Sequence, residues 1–273
     1  MEMIKKRLLP CVLIVVVTLG CVLLSRPSRV LFFTALAIVS AFELQGVLLK
    51  ANMPICKWYL SGYILLHGVL CLLNVPATYL IALFLLAAFG AMFWAVLKPA
   101  EKGAKFAISM IISLMWPFAF YAVILHACAS DMWLPVLATA VLGAWACDCM
   151  ALLGGMAFGK HKLAPHVSPN KTWEGTVIGG LCAFGAGFLI WLLIRSYYPI
   201  DMWVCVLTAF IASCFGQVGD LTASLFKRMA GVKDYGHLMP EHGGIMDKTD
   251  SMLFAIPAAY FCLHAAALIF SAA

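Results

Sequence analysis

"ATYLIALFLLAAFGAMFWAVL", residues 77–97, contains no charged residue. At 1.5 Å per residue, a helix of that length crosses the roughly 30 Å hydrocarbon core of a bilayer. Working outward from it, similar runs recur at 8–24, 30–49, 58–74, 106–129, 132–153, 175–194, 202–224 and 250–270, with no soluble-domain gap between them. Of the 273 residues, 64% are hydrophobic and only 11% charged, and the mean hydropathy is +1.01. That is more apolar surface than a soluble core of this length can hide. The expected fold is therefore an all-α polytopic membrane bundle of about nine transmembrane helices. It reads as one membrane domain over 1–273, in which 1–147 supplies N-terminal helices and 148–273 carries the chemistry.

The 18 Lys and Arg residues sort by side. Given those spans, Lys5, Lys6, Arg7, Lys50, Lys57, Lys98, Lys102, Lys105, Lys160, Lys162, Lys171, Lys227, Arg228, Lys233 and Lys248 share one face. Arg26, Arg29 and Arg195 take the other. By the positive-inside rule the crowded face is cytoplasmic, with the N-terminus inside and the C-terminus outside. Residues 1–25 also have the basic start and apolar run of a signal peptide. Arg26 and Arg29 follow, however, where a small-residue cleavage site is needed, so a retained first helix is expected. The 11 cysteines, odd in number and scattered through apolar runs, read as small buried hydrophobes rather than a disulfide framework. Cys147 and Cys149 lack the second pair a zinc site requires.

Among the 12 acidic residues, Glu43, Asp148, Asp220 and Asp250 fall in or at the edges of apolar runs, where an isolated charge costs about 2.5–3.5 kcal/mol on insertion scales. Such groups need a partner or a function. Glu43, alone in its run, reads as an interhelical hydrogen bonder, and His67, His126 and His264 read as packing residues.

Two polar stretches stand apart. The first, "DCMALLGGMAFGKHKLAPHVSPNKTWEGT" at 148–176, leaves a helix through Gly154, Gly155 and Gly159. It turns at Pro165 and Pro169 and enters the next helix near Thr172 and Glu174. Ser168, Asn170, Lys171 and Thr172, with the positive end of that helix, suit an anionic oxygen. An ordinary Gly/Pro loop with positive-inside lysines accounts for the same residues, and this segment alone leaves both readings open. The second is "SLFKRMAGVKDYGHLMPEHGGIMDKTD" at 224–250. If the helix before it runs on, Asp220, Ser224 and Lys227 fall at i, i+4 and i+7 on one face, with Arg228 beside them. Asp247 and Asp250 share a face of any helix that begins there. Two helix ends would then present hard oxygen ligands of the kind magnesium takes, one or two carboxylates plus substrate phosphates. Lys227, Arg228 and Lys233 would meet those phosphates, and the glycines of "HGG" at 242–244 allow close backbone approach. His237 and His242 lack the spacing of a zinc site. The chemistry indicated is phosphoryl or nucleotidyl transfer at a membrane surface, which rests on positioning and charge neutralisation rather than on a protein nucleophile.

That second stretch resembles the C-terminal signature of the bacterial phosphatidate cytidylyltransferase, or CDP-diacylglycerol synthase, family. The matching positions are Ser224, Lys227, Arg228, Lys233, Asp234, His242, Gly243, Gly244, Asp247 and Asp250. "GKHKLAPHVSPNKTWEG" and "GQVGDLTASLFKR" are similar to its other blocks, so the resemblance covers residues 148–250. Lys248 stands where the family usually has arginine, keeping the charge and losing the bidentate fork. Gly155 and Leu152 replace positions that are often basic and often aromatic. The resemblance implies that CTP and phosphatidic acid give CDP-diacylglycerol and pyrophosphate, a step of phospholipid biosynthesis. It implies a bacterial-type inner membrane with the site facing the cytoplasm, magnesium as cofactor with a second, monovalent cation left open, a homodimer, and no nucleic acid partner. Asp220, Lys227, Arg228 and Asp247 would be catalytic, and Asp220, Asp247, Asp250 and Asp148 would bind metal. Ser168, Asn170, Lys171, Thr172, Ser224, Lys233, Asp234, His242, Gly243, Gly244 and Lys248 would bind substrate. A CTP-dependent polyprenol or phytol-type kinase shares the nucleotide site but transfers a phosphoryl group. An ion-coupled transporter accounts for membrane acids, yet here they gather at one end rather than at the midplane. A CDP-alcohol phosphotransferase needs an aspartate motif that this sequence lacks.

Overall fold

A computed structural model describes residues 16–238 and 243–271. Residues 16–24 are helical, and Ser25 then breaks the chain into α1 (Arg26–Lys50) through a reciprocal cap. Ser25 Oγ accepts from Ser28 N at 3.3 Å and Ser28 Oγ accepts from Ser25 N at 3.0 Å, while Pro27 occupies the first turn, where its missing N–H costs nothing. Next come α2 (Lys57–Leu72) and α3 (Ala77–Val96). Turns through Asn52 and Asn74, both left-handed at φ 56° and 57°, separate these helices, a conformation asparagine tolerates better than most residues. Pro76 and Pro99 stand immediately before α3 and α4 (Ala100–Ser113). A π turn at Leu114–Phe118 joins α4 to α5 (Ala119–Ala129). The remaining helices are α6 (Trp133–Phe158), α7 (Trp173–Ile194), α8 (Met202–Met229) and α9 (Met246–Ser271).

Seven described segments are long and apolar enough to cross a membrane: α1, α3, the run Ala100–Ala129, α6, α7, α8 and α9. The fold is thus the expected all-α membrane bundle. α2, at 16 residues, is shorter than the span read at 58–74, and the span read at 8–24 lies mostly outside the described residues. Two boundaries differ in a way that matters. α8 continues to Met229 rather than 224, and α9 begins at Met246 rather than 250.

Packing within the bilayer relies on small residues, because lipid gives helices no hydrophobic reason to associate. A Cβ on Gly179 would lie 2.5 Å from the Cys147 carbonyl oxygen, and one on Gly187 would lie 2.7 Å from Val206 Cα. α6, α7 and α8 therefore touch backbone to backbone. A second, side-chain core joins Leu44, Leu60, Ile64, Phe118 and Leu125 to Met246, Leu253 and Ile256, so α9 packs against the N-terminal helices as well. At the far end of the bundle Arg29 is buried with its guanidinium 3.8 Å from the centroid of the Trp133 ring, and its Nε donates to the Cys128 carbonyl at 3.2 Å.

Between α6 and α7 the chain forms a two-stranded antiparallel ribbon, β1 (Lys162–Ala164) and β2 (Ser168–Thr172). Sequence patterning suggested only a loop there.

Candidate active site

The last turns of α8 and the first turn of α9 meet at one end of the bundle. Their backbones approach so closely that a Cβ on Gly219 would stand 2.5 Å from the Asp250 carbonyl oxygen. Asp220 and Asp250 thereby come within electrostatic reach of each other. Asp250 is 8% exposed; its Oδ1 accepts from Ser251 N at 2.7 Å. Among the described residues no lysine or arginine pairs with it.

Asp247 is differently placed. Its Oδ1 lies 2.8 Å from Lys227 Nζ, in a pair whose side chains are 7% and 11% exposed. Its Oδ2 accepts from Tyr235 N at 2.8 Å and Gly244 N at 3.0 Å. One carboxylate thus neutralises a buried ammonium and holds both ends of the loop between α8 and α9. Tyr235 fills the space beneath, donating its phenol to the Ala223 carbonyl at 3.0 Å. Burial, with Asp247 and Asp250 nearby, pushes that phenol well above its usual range.

Glu43, from α1, completes the loop. Its Oε1 accepts from Ile245 N and its Oε2 from Met246 N, each at 2.9 Å. It therefore serves α9 as a cap supplied by another helix, meeting first-turn N–H groups that have no intrahelical partner and the positive end of the helix dipole. A side chain at Gly236 or Gly244 would displace this carboxylate, because Cβ atoms there would stand 2.6 and 2.5 Å from Glu43 atoms. One turn further in, Tyr121 OH bridges Ser40 Oγ at 2.8 Å and Thr249 Oγ1 at 3.0 Å, tying α9 to α1 and α5.

The first polar stretch arrives through β2. Lys171 Nζ lies 2.5 Å from Asp220 Oδ2, and Asp148 on α6 is within electrostatic reach of both. Arg228 links the two loops, with Nε donating to the Val167 carbonyl and a terminal nitrogen donating to the Val232 carbonyl, both at 3.3 Å. Glu174 closes the base of the ribbon. It accepts from Lys160 N at 3.1 Å and His161 N at 3.2 Å, and its Oε1 lies 2.6 Å from His161 Nδ1.

Of the residues singled out in the sequence, Asp148, Lys171, Asp220, Ser224, Lys227, Gly243, Gly244, Asp247 and Asp250 gather here. Ser224 is buried one turn before Lys227. Thr172 is buried with its hydroxyl accepting from Gly175 N at 3.2 Å, capping α7. Asn170, Lys233 and Lys248 are exposed, and Ser168 and Asp234 half-buried. His242 lies outside the described residues. Glu43 is the interhelical hydrogen bonder its place in an apolar run suggested, although the sequence did not tie it to this site, since its partners are 202 and 203 residues away. Tyr235 gave no signal in the sequence.

Among the described residues, no three His, Cys, Asp or Glu side chains form a cation-holding group. Magnesium does not need three, since it commonly takes one or two carboxylates and leaves the rest of its shell to phosphates and water. Asp250, a buried carboxylate in no direct ion pair among the described residues, and Asp220 beside it fit that donor set.

A family model described as the cytidylyltransferase family matches residues 5–266. The phosphatidate cytidylyltransferase of Staphylococcus saprophyticus is 43% identical over 118 residues, which is 43% of this chain and 45% of the relative. Those of Staphylococcus epidermidis and Staphylococcus aureus are 44% and 45% identical over 120 and 121 residues, with the same shares covered. These matches span less than half the length of each relative. The family match extends over nearly the whole sequence, and the chain belongs to the cytidylyltransferase family.

Proposed function

We propose that this protein transfers the cytidylyl group of CTP to phosphatidic acid, forming CDP-diacylglycerol and pyrophosphate at the cytoplasmic face of a bacterial-type inner membrane. The carrying observation is the pair of ion pairs, Lys171 with Asp220 and Lys227 with Asp247, gathered with buried Asp250, which has no lysine or arginine in direct contact among the described residues. Ammonium groups so held suit a triphosphate, and buried carboxylates beside them suit the cation that accompanies it. The names of the relatives supply the acceptor.

In this reading a phosphate oxygen of phosphatidic acid attacks the α-phosphorus of CTP. The bond from that phosphorus to the oxygen bridging to the β-phosphorus breaks, and pyrophosphate leaves. Lys171 and Lys227 stand against the triphosphate, and the backbone at Gly243 and Gly244 allows close approach. Asp220 and Asp250, with Asp247 and Asp148 beside them, would hold magnesium. When bound, the metal supplies charge neutralisation for the triphosphate and the departing pyrophosphate. The lipid enters laterally from the bilayer, while the nucleotide arrives from the lysine-rich side.

The test uses purified protein with magnesium, phosphatidic acid and CTP labelled either in cytidine or at the γ-phosphate. Cytidine label appearing in the lipid fraction is the expected result. Transfer of the γ-label alone identifies a lipid kinase and overturns the proposal.

A further inference from the structure

A separate cavity of about 440 Å³ opens between the end of α1 and the turn joining α3 to α4. Leu49, Asn52, Phe106 and three lysines, Lys98, Lys102 and Lys105, line it. Only Lys105 is answered by an acid among the described residues, at 2.9 Å from Glu101. The Lys98 ammonium lies 5.2 Å from the Trp94 ring centroid and 4.7 Å from that of Phe106, an attraction that fixes the charge without cancelling it. Lys102 pairs with no carboxylate among the described residues. The first turn of α4 follows Pro99 at the same place and carries Glu101, which offsets the positive end of that helix and leaves Lys98 and Lys102 as the charges facing the cavity.

Lysines in this kind of loop obey the positive-inside rule whatever they bind. Here they also border a cavity of a size that holds a small ligand. Its lining includes exposed Leu49, and Val96 and Leu97, which precede Lys98 in the chain, are exposed as well. Fixed positive charge beside a greasy edge at the membrane surface complements one ligand class, a phosphate headgroup carrying acyl chains. We infer that this cavity binds the headgroup of an anionic glycerophospholipid at a site separate from the carboxylate cluster.

Native mass spectrometry of the full-length protein in detergent tests this without any assay of turnover. The protein is incubated with phosphatidylglycerol or phosphatidylcholine, with and without inorganic phosphate. Wild-type protein retains phosphatidylglycerol in preference to phosphatidylcholine, inorganic phosphate does not displace it, and Lys98→Ala with Lys102→Ala lowers retention about tenfold or more, as loss of two surface lysines predicts. The Lys98→Arg with Lys102→Arg protein keeps the lipid. Equal retention of the two lipids by wild type overturns the inference, as does undiminished retention by the folded alanine variant. Displacement by inorganic phosphate reassigns the cavity to the free anion.

Discussion

Between Gly159 and Thr172 the chain directs its hydrogen bonds inward, through the β1–β2 ribbon and the Glu174 contacts at its base. Between Gly231 and Ile245 there is no regular element among the described residues, and the backbone hangs on two carboxylates, Asp247 and Glu43, that belong to helices. Both loops face the same cluster, yet the first would keep its shape without the site's charges and the second would not. Chemistry and architecture are thus separable in one loop and fused in the other.

Asp247→Asn strikes the fused loop hardest. It breaks the buried ion pair with Lys227, a loss of about 3–5 kcal/mol for such pairs, and turnover should fall about 100-fold or more. Limited proteolysis should show faster cleavage between 231 and 245. Glu43→Ala comes next, since it strips partners from two N–H groups at about 1–3 kcal/mol each. Turnover in the proposed reaction should drop roughly 10- to 100-fold, with Glu43→Gln in between because it keeps one acceptor. Gly244→Ala sharpens the comparison, as its Cβ would press on the Glu43 carboxylate. We expect a loss near tenfold from overpacking of about 1–3 kcal/mol, and little additional loss when the same change is made in a Glu43→Ala background, a non-additivity that a double-mutant cycle measures. The smallest effect belongs to the other loop. Glu174→Gln weakens a contact to an exposed histidine and should change turnover less than about threefold. If it proves as damaging as Asp247→Asn, the contrast between the loops is wrong.

Apolar runs made the helices readable because the bilayer demands length and hydropathy together. The same criterion hid the start of α9, where the polar residues Asp247, Lys248, Thr249 and Asp250 follow Met246 and hydropathy falls although the helix has begun. The ribbon was hidden for another reason. "SPNKT" lacks the branched and aromatic residues that mark strands, and its pairing is imposed by the short connection and the Glu174 latch. Spacing along α8 did reveal Asp220, Ser224 and Lys227 as one face, since that relation is local. Glu43 depends on a contact that no local pattern records. Lys248, the departure that stood out when the signature was read alone, is exposed while Lys171 and Lys227 hold the ion pairs.

The reach of Glu43 also bears on how the protein is made. Its partners are the backbone of residues 245 and 246, which at 5–20 residues per second emerge roughly 10–40 s after it. Throughout that interval α1 must remain inserted with an unsatisfied acid, on the strength of its own apolar surplus. The site therefore closes only when α9 arrives to complete a contact begun by α1.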